Sequence, residues 1–218
     1  MIRFSSPEAL NQAMGLAFWS NSIASWEDLP DIRGAVNASL GAEYRAFQRH
    51  LVTEFLRWQR AIIDEYRRPE QFVTHNFDYE WRGFSFGLQP EVDSFQAAKT
   101  VTVAGCDIYY RTAEELTGAE IAFCGVFARG LKKSNYLVLE TQAQGNFGWL
   151  PYPGQLRLQA FSHIANGADC LAYWPWHSIH NGPESYWKGV LSHDLTPGPV
   201  YEEAKEIGKE FSRLSPRL

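Results

Sequence analysis

Four short β-rich runs recur along the chain at near-constant spacing, and that spacing restricts the folds open to it. Phe72-Val73-Thr74, Cys106 to Tyr110, Tyr136 to Leu139 and Cys170 to Tyr173 are centred on Val73, Ile108, Val138 and Leu171, which lie 35, 30 and 33 residues apart. Each interval holds one strand and one crossover helix, and such a repeat makes consecutive strands parallel. The helical stretches expected between the runs are Glu91 to Val101, Ala113 to Leu131 and Gln155 to Asn166, the last closed by Asn166-Gly167. Beyond the fourth run, Val200, Ala204, Ile207, Phe211 and Leu214 form an apolar stripe behind Pro199, with Glu202 and Glu203 in the first turn. Leu40 to Tyr66 carries a second stripe, through Phe47, Leu51, Phe55 or Leu56, Trp58 and Ile62.

Four parallel strands with helices on their outer faces make either half of a (β/α)8 barrel or a small open sheet. A full barrel takes about 250 residues and eight strands. This chain has 218 residues, and residues 1 to 37 contain no convincing strand. The expected fold is therefore α/β, a partial (β/α)8 TIM barrel comprising about the last four strand-helix units. No interdomain linker interrupts the sequence, so residues 1–218 are expected to form a single domain.

Composition narrows the partners. With 20 Lys and Arg against 25 Asp and Glu, the chain carries a net charge of −5, which gives no footprint for a phosphate backbone or an anionic membrane surface. The N-terminal residues lack the apolar core of a signal peptide, and nowhere do about 18 apolar residues run together, so a cytoplasmic location without membrane insertion is expected. Cys106, Cys124 and Cys170 sit among apolar neighbours without metal-ligand spacing and read as reduced core thiols. The histidines lack metal-site spacing, and no Gly-rich nucleotide loop or Gly-x-Ser-x-Gly elbow occurs, so neither a metal nor a cofactor is expected.

In parallel α/β folds the reacting groups gather at the carboxyl ends of the strands. The first three runs lead into Thr74-His75-Asn76-Phe77-Asp78, Tyr109-Tyr110 and Glu140-Thr141-Gln142, and the fourth into Trp174-Pro175-Trp176-His177. Glu140 closes an entirely apolar strand, where a half-buried carboxylate costs several kcal/mol unless it is hydrogen-bonded or used. Eight tryptophans, many in polar, loop-like settings, offer flat platforms for stacking on sugar rings. A carboxylate among such rings suits glycoside hydrolysis, which needs a second carboxyl as proton donor. Asp78, Asp107 and Glu184 are the candidates, with Asp107 in mid-strand and the other two in loops.

Several segments sharpen that reading: Glu140-Thr141-Gln142-Ala143-Gln144, Trp149, Tyr152-Pro153-Gly154-Gln155-Leu156-Arg157, Asn166-Gly167-Ala168-Asp169 and Tyr173-Trp174-Pro175-Trp176-His177. Together with Ala17-Phe18-Trp19-Ser20, Val73-Thr74-His75-Asn76-Phe77 and Gly189-Val190-Leu191-Ser192-His193-Asp194, they follow in order along nearly the whole chain. The pattern closely resembles the second half of the catalytic barrel of glycoside hydrolase family 42 β-galactosidases. The resemblance implies a retaining hydrolase of terminal non-reducing β-D-galactose residues, without cofactor, whose usual assembly is a homotrimer. It places Glu140 at the position of the catalytic nucleophile and Trp149 and Glu184 at galactose contacts, with Asn76, Tyr109 and Trp19 as further candidates. Where many members carry Glu-x-x-His-Gly, this chain has Glu184 followed by Trp187 at the His position, so Trp187 is expected to stack instead. The family's acid/base lies in an Asn-Glu pair ahead of the matched region, and this sequence has no Asn-Glu pair. The expectation is thus an N-terminally truncated barrel without its acid. The alternative is a non-catalytic galactoside-binding remnant or the product of a damaged gene.

Overall fold

A computed structural model of the chain describes residues 3–33, 37–79, 89, 91–144 and 150–217. They fall into two compact units, one of Met1–Leu56 with Pro90–Asp93 and one of Arg57–Gln89 with Ser94–Leu218.

In the first unit, helix α1 (Pro7–Met14) begins where the Ser6 hydroxyl accepts the Ala9 N–H at 3.2 Å, and ends at Gly15, whose φ of 62° terminates the helix in the left-handed region. The Asn11 carboxamide pairs in both directions with the backbone of Ile23, at 2.8 and 3.0 Å, and so folds the following loop back onto the helix. Asn37 donates to the Met14 carbonyl at 3.0 Å and accepts from the Leu40 N–H at 2.9 Å, which caps the long helix α2 (Ala38–Tyr66). Leu10, Leu16, Ile23 and Leu40 form the core of this unit, with Phe4, Met14 and Ile32 packed against them.

The second unit is built on a four-stranded parallel sheet in the order β1 (Asn76–Asp78), β2 (Gly105–Asp107), β3 (Tyr136–Gln142) and β4 (Ala168–Trp174). Between β1 and β2 lies a short helix, α3 (Ser94–Ala97), continued by a 3-10 turn over Ala98–Thr100. Helices α4 (Ala119–Lys132), α5 (Gln155–Ala165) and α6 (Pro199–Leu214) follow β2, β3 and β4. The stripe read along α6 packs as the periodicity predicts. Ile207, with Val200, Ala204 and Phe211, meets Leu156 and Ala160 of α5 and Leu171 and Tyr173 of β4. Gly125 of α4 lies under the Tyr136 hydroxyl, where a Cβ would come within 2.5 Å, so α4 covers the face of β3 that carries Tyr136. Gly167, at φ 98°, makes the turn from α5 into β4 that Asn166-Gly167 signals in the sequence.

Three expectations shift. The first strand is Asn76–Asp78 and not Phe72–Thr74, because Val73 bonds the chain ahead of β2 through Thr102 and Val103 without entering the ladder. The second strand stops at Asp107, so Ile108, Tyr109 and Tyr110 lie beyond the strand rather than inside it. Cys106 and Cys124 are buried, whereas Cys170 is exposed, because it alternates with Leu171, which packs against α5 and α6, and so points to the opposite face of β4. The apolar stripe of α2 does share one face, yet Phe47, Leu51, Phe55, Trp58 and Ile62 remain 40 to 59% exposed. No helix among the described residues is long and apolar enough to cross a membrane.

Candidate active site

The parallel sheet brings its strand ends to one rim, and there three neighbouring strands place four polar side chains in contact. Glu140 is the centre of the group. Its Oε1 accepts an N–H of Asn76, from β1, at 3.1 Å, and its Oε2 accepts the Tyr109 hydroxyl, just past β2, at 2.9 Å. The Asn76 amide nitrogen lies 3.3 Å from Oδ2 of Asp107, the last residue of β2. Two carboxylates thus converge on one carboxamide, and both oxygens of Glu140 are held in place.

A local irregularity in β3 turns Glu140 toward this cluster. Cys106 pairs with Val138 and Asp107 with Glu140, while on the other side Val138 pairs with Leu171 and Thr141 with Tyr173. Between Val138 and its next partners, β3 therefore carries one residue more than either neighbour. Strict alternation from Tyr136 and Val138 would leave Glu140 on the face covered by α4. The extra residue breaks that alternation and re-aims the side chain, a recurrent use of β-bulges beside reactive sites. Glu140 is accordingly the fifth residue of a seven-residue strand and not the first residue after it.

Burial and like charge act together at this rim. Desolvation, reinforced by the neighbouring charge of Glu140 and against the pull of the Asn76 hydrogen bond, raises the Asp107 carboxyl to about 7. Among the described residues, its Oδ1 is buried without a hydrogen-bond partner. Burial first, and then Glu140, also push the Tyr109 phenol far above its ordinary value, so Tyr109 remains a neutral hydroxyl that donates to Glu140. Behind Glu140, Thr141 donates to the Tyr110 hydroxyl at 3.1 Å, and Gln159 and His163 of α5 lie 3.4 Å from the same oxygen. Burial holds the His163 imidazole down at about 3, so it stays neutral within this support.

The loop after β4 completes the rim. Gln144 donates to the Gly189 carbonyl at 2.6 Å, the Gly189 N–H donates to the Ser178 hydroxyl at 3.0 Å, and Ser178 donates to the Leu191 carbonyl at 2.9 Å. This loop carries Trp187, which is buried against the Tyr109 ring at 5.2 Å between centroids. Glu184 is exposed, its carbonyl accepting the Trp187 N–H at 3.0 Å, and the described hydrogen bonds do not join its carboxylate to Glu140. Of the residues singled out in the sequence, Asn76, Tyr109 and Glu140 are therefore in direct contact, and Trp187 reaches them through Tyr109. Trp19 lies in the first unit, 76% exposed, and Trp149 lies outside the described residues. Asp107, a candidate second carboxyl expected in mid-strand, is instead the last residue of β2 and joins the cluster through Asn76. Its signal in the sequence was a carboxylate inside an otherwise β-rich run.

His177, His180 and His193 line up ring beside ring at 5.9 and 5.6 Å, each with one nitrogen against a backbone carbonyl. Among the described residues, no group of three or more His, Cys, Asp or Glu side chains is disposed to hold a metal ion.

Comparison with known proteins extends the geometry. Residues 2–214 match the family profile described as Beta-galactosidase, Glyco_hydro_42. The β-galactosidase BgaH of Haloferax lucentense is 31% identical over 97% of this chain and 34% of its own length. The corresponding figures for β-galactosidase BgaA of Clostridium cellulovorans are 27%, 99% and 33%. Among solved structures, a catalytic mutant of a GH42 β-galactosidase from G. stearothermophilus superposes with a TM-score of 0.84 at 23% identity, covering 97% of this chain and 32% of that one. The β-galactosidase of the haloarchaeon Halorubrum lacusprofundi gives 0.80 at 24%, over 96% and 33%. The four-stranded sheet with its helices is thus part of an α/β barrel, and the chain spans about a third of the length of the relatives it matches.

Proposed function

Since the chain belongs to the glycoside hydrolase family 42 β-galactosidases, we propose that it supplies the nucleophile side of a site that removes terminal non-reducing β-D-galactose with retention of configuration. The observation that carries this reading is Glu140, re-aimed by the bulge in β3 and held through both carboxylate oxygens by Asn76 and Tyr109. A nucleophile needs this constraint, because attack on the anomeric carbon requires one oxygen in line with the departing glycosidic oxygen.

In the first step a Glu140 oxygen bonds to the anomeric carbon as the bond to the leaving oxygen breaks, giving a galactosyl ester. Water then opens the ester and returns the carboxylate. The Tyr109 hydroxyl stays bonded to the second oxygen and keeps the carboxyl from rotating. The leaving oxygen must gain a proton in the first step, and the sequence holds no Asn-Glu pair of the kind that the resemblance assigns to that task. Asp107 shares Asn76 with Glu140, whereas the resemblance places the proton donor ahead of the matched region, so we assign Asp107 no role as proton donor. Glu184 and Trp149 are proposed galactose contacts, and Trp187 is proposed to shape the same pocket by its packing on Tyr109.

A second reading concerns these 218 residues by themselves, which hold no Asn-Glu pair: they bind galactosides without turning them over. One reagent separates the two. A 2-deoxy-2-fluoro-β-D-galactoside with a dinitrophenolate leaving group needs no acid to depart, and its fluorine slows hydrolysis of the ester. Mass spectrometry of the purified chain is expected to show one fluorogalactosyl adduct on the peptide containing Glu140, and none in Glu140→Gln. Reversible galactose binding without an adduct would establish the binding-only reading.

A further inference from the structure

We propose that Asp107 is a positioning residue for Glu140: by accepting one N–H of Asn76, it fixes the carboxamide whose other N–H holds the nucleophile. The inference rests on the reading of Glu140 as the attacking group. Its geometric basis is the single Asn76 nitrogen, 3.3 Å from Asp107 and 3.1 Å from Glu140. An amide nitrogen carries two hydrogens, enough to serve both carboxylates. Rotating the carboxamide by half a turn would set its oxygen against both acids. Asp107 thus makes the alternative orientation of Asn76 unfavourable even when Glu140 cannot.

That condition arises during the reaction. Once a Glu140 oxygen is bonded to carbon, the carboxylate charge is gone and its pull on Asn76 weakens. Asp107 does not touch the sugar in this scheme and keeps its hold on the amide. Asn76 is then already in place to receive Glu140 when water releases the ester. The pairing of Asp107 with Glu140 across β2 and β3 keeps the two acids level along the rim.

The charged and titratable groups that face Asp107 are Glu140 on β3, Asp78 on β1 with Tyr79 just after it, and Cys106 and Tyr109 from its own segment. Burial and the acids among them hold its carboxyl at about 7, so its ionisation falls in a range where the folded chain can be titrated.

Two measurements on the full chain test the assignment. In the first, the side-chain amide resonances of Asn76, identified by their loss in Asn76→Asp, are followed by heteronuclear NMR through neutral pH. They are expected to shift with the ionisation of Asp107 and to lose that shift in Asp107→Asn. Resonances that do not respond to pH, or that titrate identically in Asp107→Asn, would overturn the proposal. In the second, the rate of fluorogalactosyl labelling is measured against pH. Asp107→Ala is expected to slow labelling roughly 10- to 100-fold, whereas Asp107→Asn, which still offers Asn76 an acceptor, recovers to within about threefold and loses the change in rate near neutrality. Equal rates and identical pH profiles in all three proteins would also overturn it. A wild-type chain that is not labelled refutes the nucleophile reading, and the Asn76 titration then still decides whether Asp107 holds the amide.

Discussion

Asp107 carries an energetic cost as well as a geometric role, and the sign of that cost is open to test. Its carboxyl holds a proton more tightly in the folded chain, at about 7, than at its ordinary 3.8. A raised value of this kind leaves folding unpenalised below the ordinary carboxylate range and lowers stability as pH climbs through the folded value. Asp107→Asn is therefore expected to be more stable than wild type above about pH 7 and indistinguishable from it below about pH 4. Raising the carboxyl from 3.8 to about 7 corresponds to at most about 4 kcal/mol, which screening at this half-buried site reduces to roughly 1–2 kcal/mol. Urea unfolding at several pH values measures the difference, and a gain that is constant with pH would contradict it. The residue scale also shows what a sequence can disclose. Glu140 is legible because a carboxylate after three aliphatic residues is anomalous. Asp107 is less so, because the run Cys106 to Tyr110 has the composition of one strand while its ladder ends at Asp107.

Among the elements, α5 and α6 are read correctly, whereas the helix expected over Glu91 to Val101 is only Ser94–Ala97 with its 3-10 turn, the one expected over Ala113 to Leu131 begins at Ala119, and the features defined by strand pairing are not read. The stripe of α6 settles on β4 and α5 as its spacing requires, and Asn166-Gly167 ends α5 where expected. The bulge in β3 has no local signal, since it is a relation among three strands. The same holds for β1, where the β-prone Phe72-Val73-Thr74 lies beside the ladder that Asn76 to Asp78 joins. The loop after β4 depends on one position. A Cβ at Gly189 would come within 2.7 Å of the His177 Cα and the Pro175 carbonyl oxygen, both backbone atoms that cannot step aside. Gly189→Ala is expected to cost about 1–3 kcal/mol. Because Gly189 anchors the segment that presses Trp187 onto Tyr109, tryptophan emission is expected to move to longer wavelength before global unfolding. Unchanged emission together with unchanged stability would show that the loop can rearrange around the methyl group.

At the scale of the whole molecule, two features bear on behaviour in solution. Among the described residues, β1 and β4 each have a strand on one side only, and the α2 stripe leaves Phe47, Leu51 and Ile62 40 to 53% exposed. Unpaired strand edges and exposed apolar rows promote association. Sedimentation velocity is expected to show concentration-dependent assembly of the isolated chain at roughly 10–100 µM, reduced by Leu51→Lys. A monomer throughout that range would show these surfaces to be tolerated by water. The fold class could be read from the spacing of four runs, but the division into two units could not, because no shift in composition marks it. The strand order has a different consequence. Asn76, Asp107, Tyr109 and Glu140 come from three consecutive, adjacent strands, the last lying 64 positions after the first. The contacts that hold Glu140 therefore travel together as one uninterrupted stretch of gene. Recombination outside that stretch can exchange what surrounds the carboxylate without separating it from the groups that orient it.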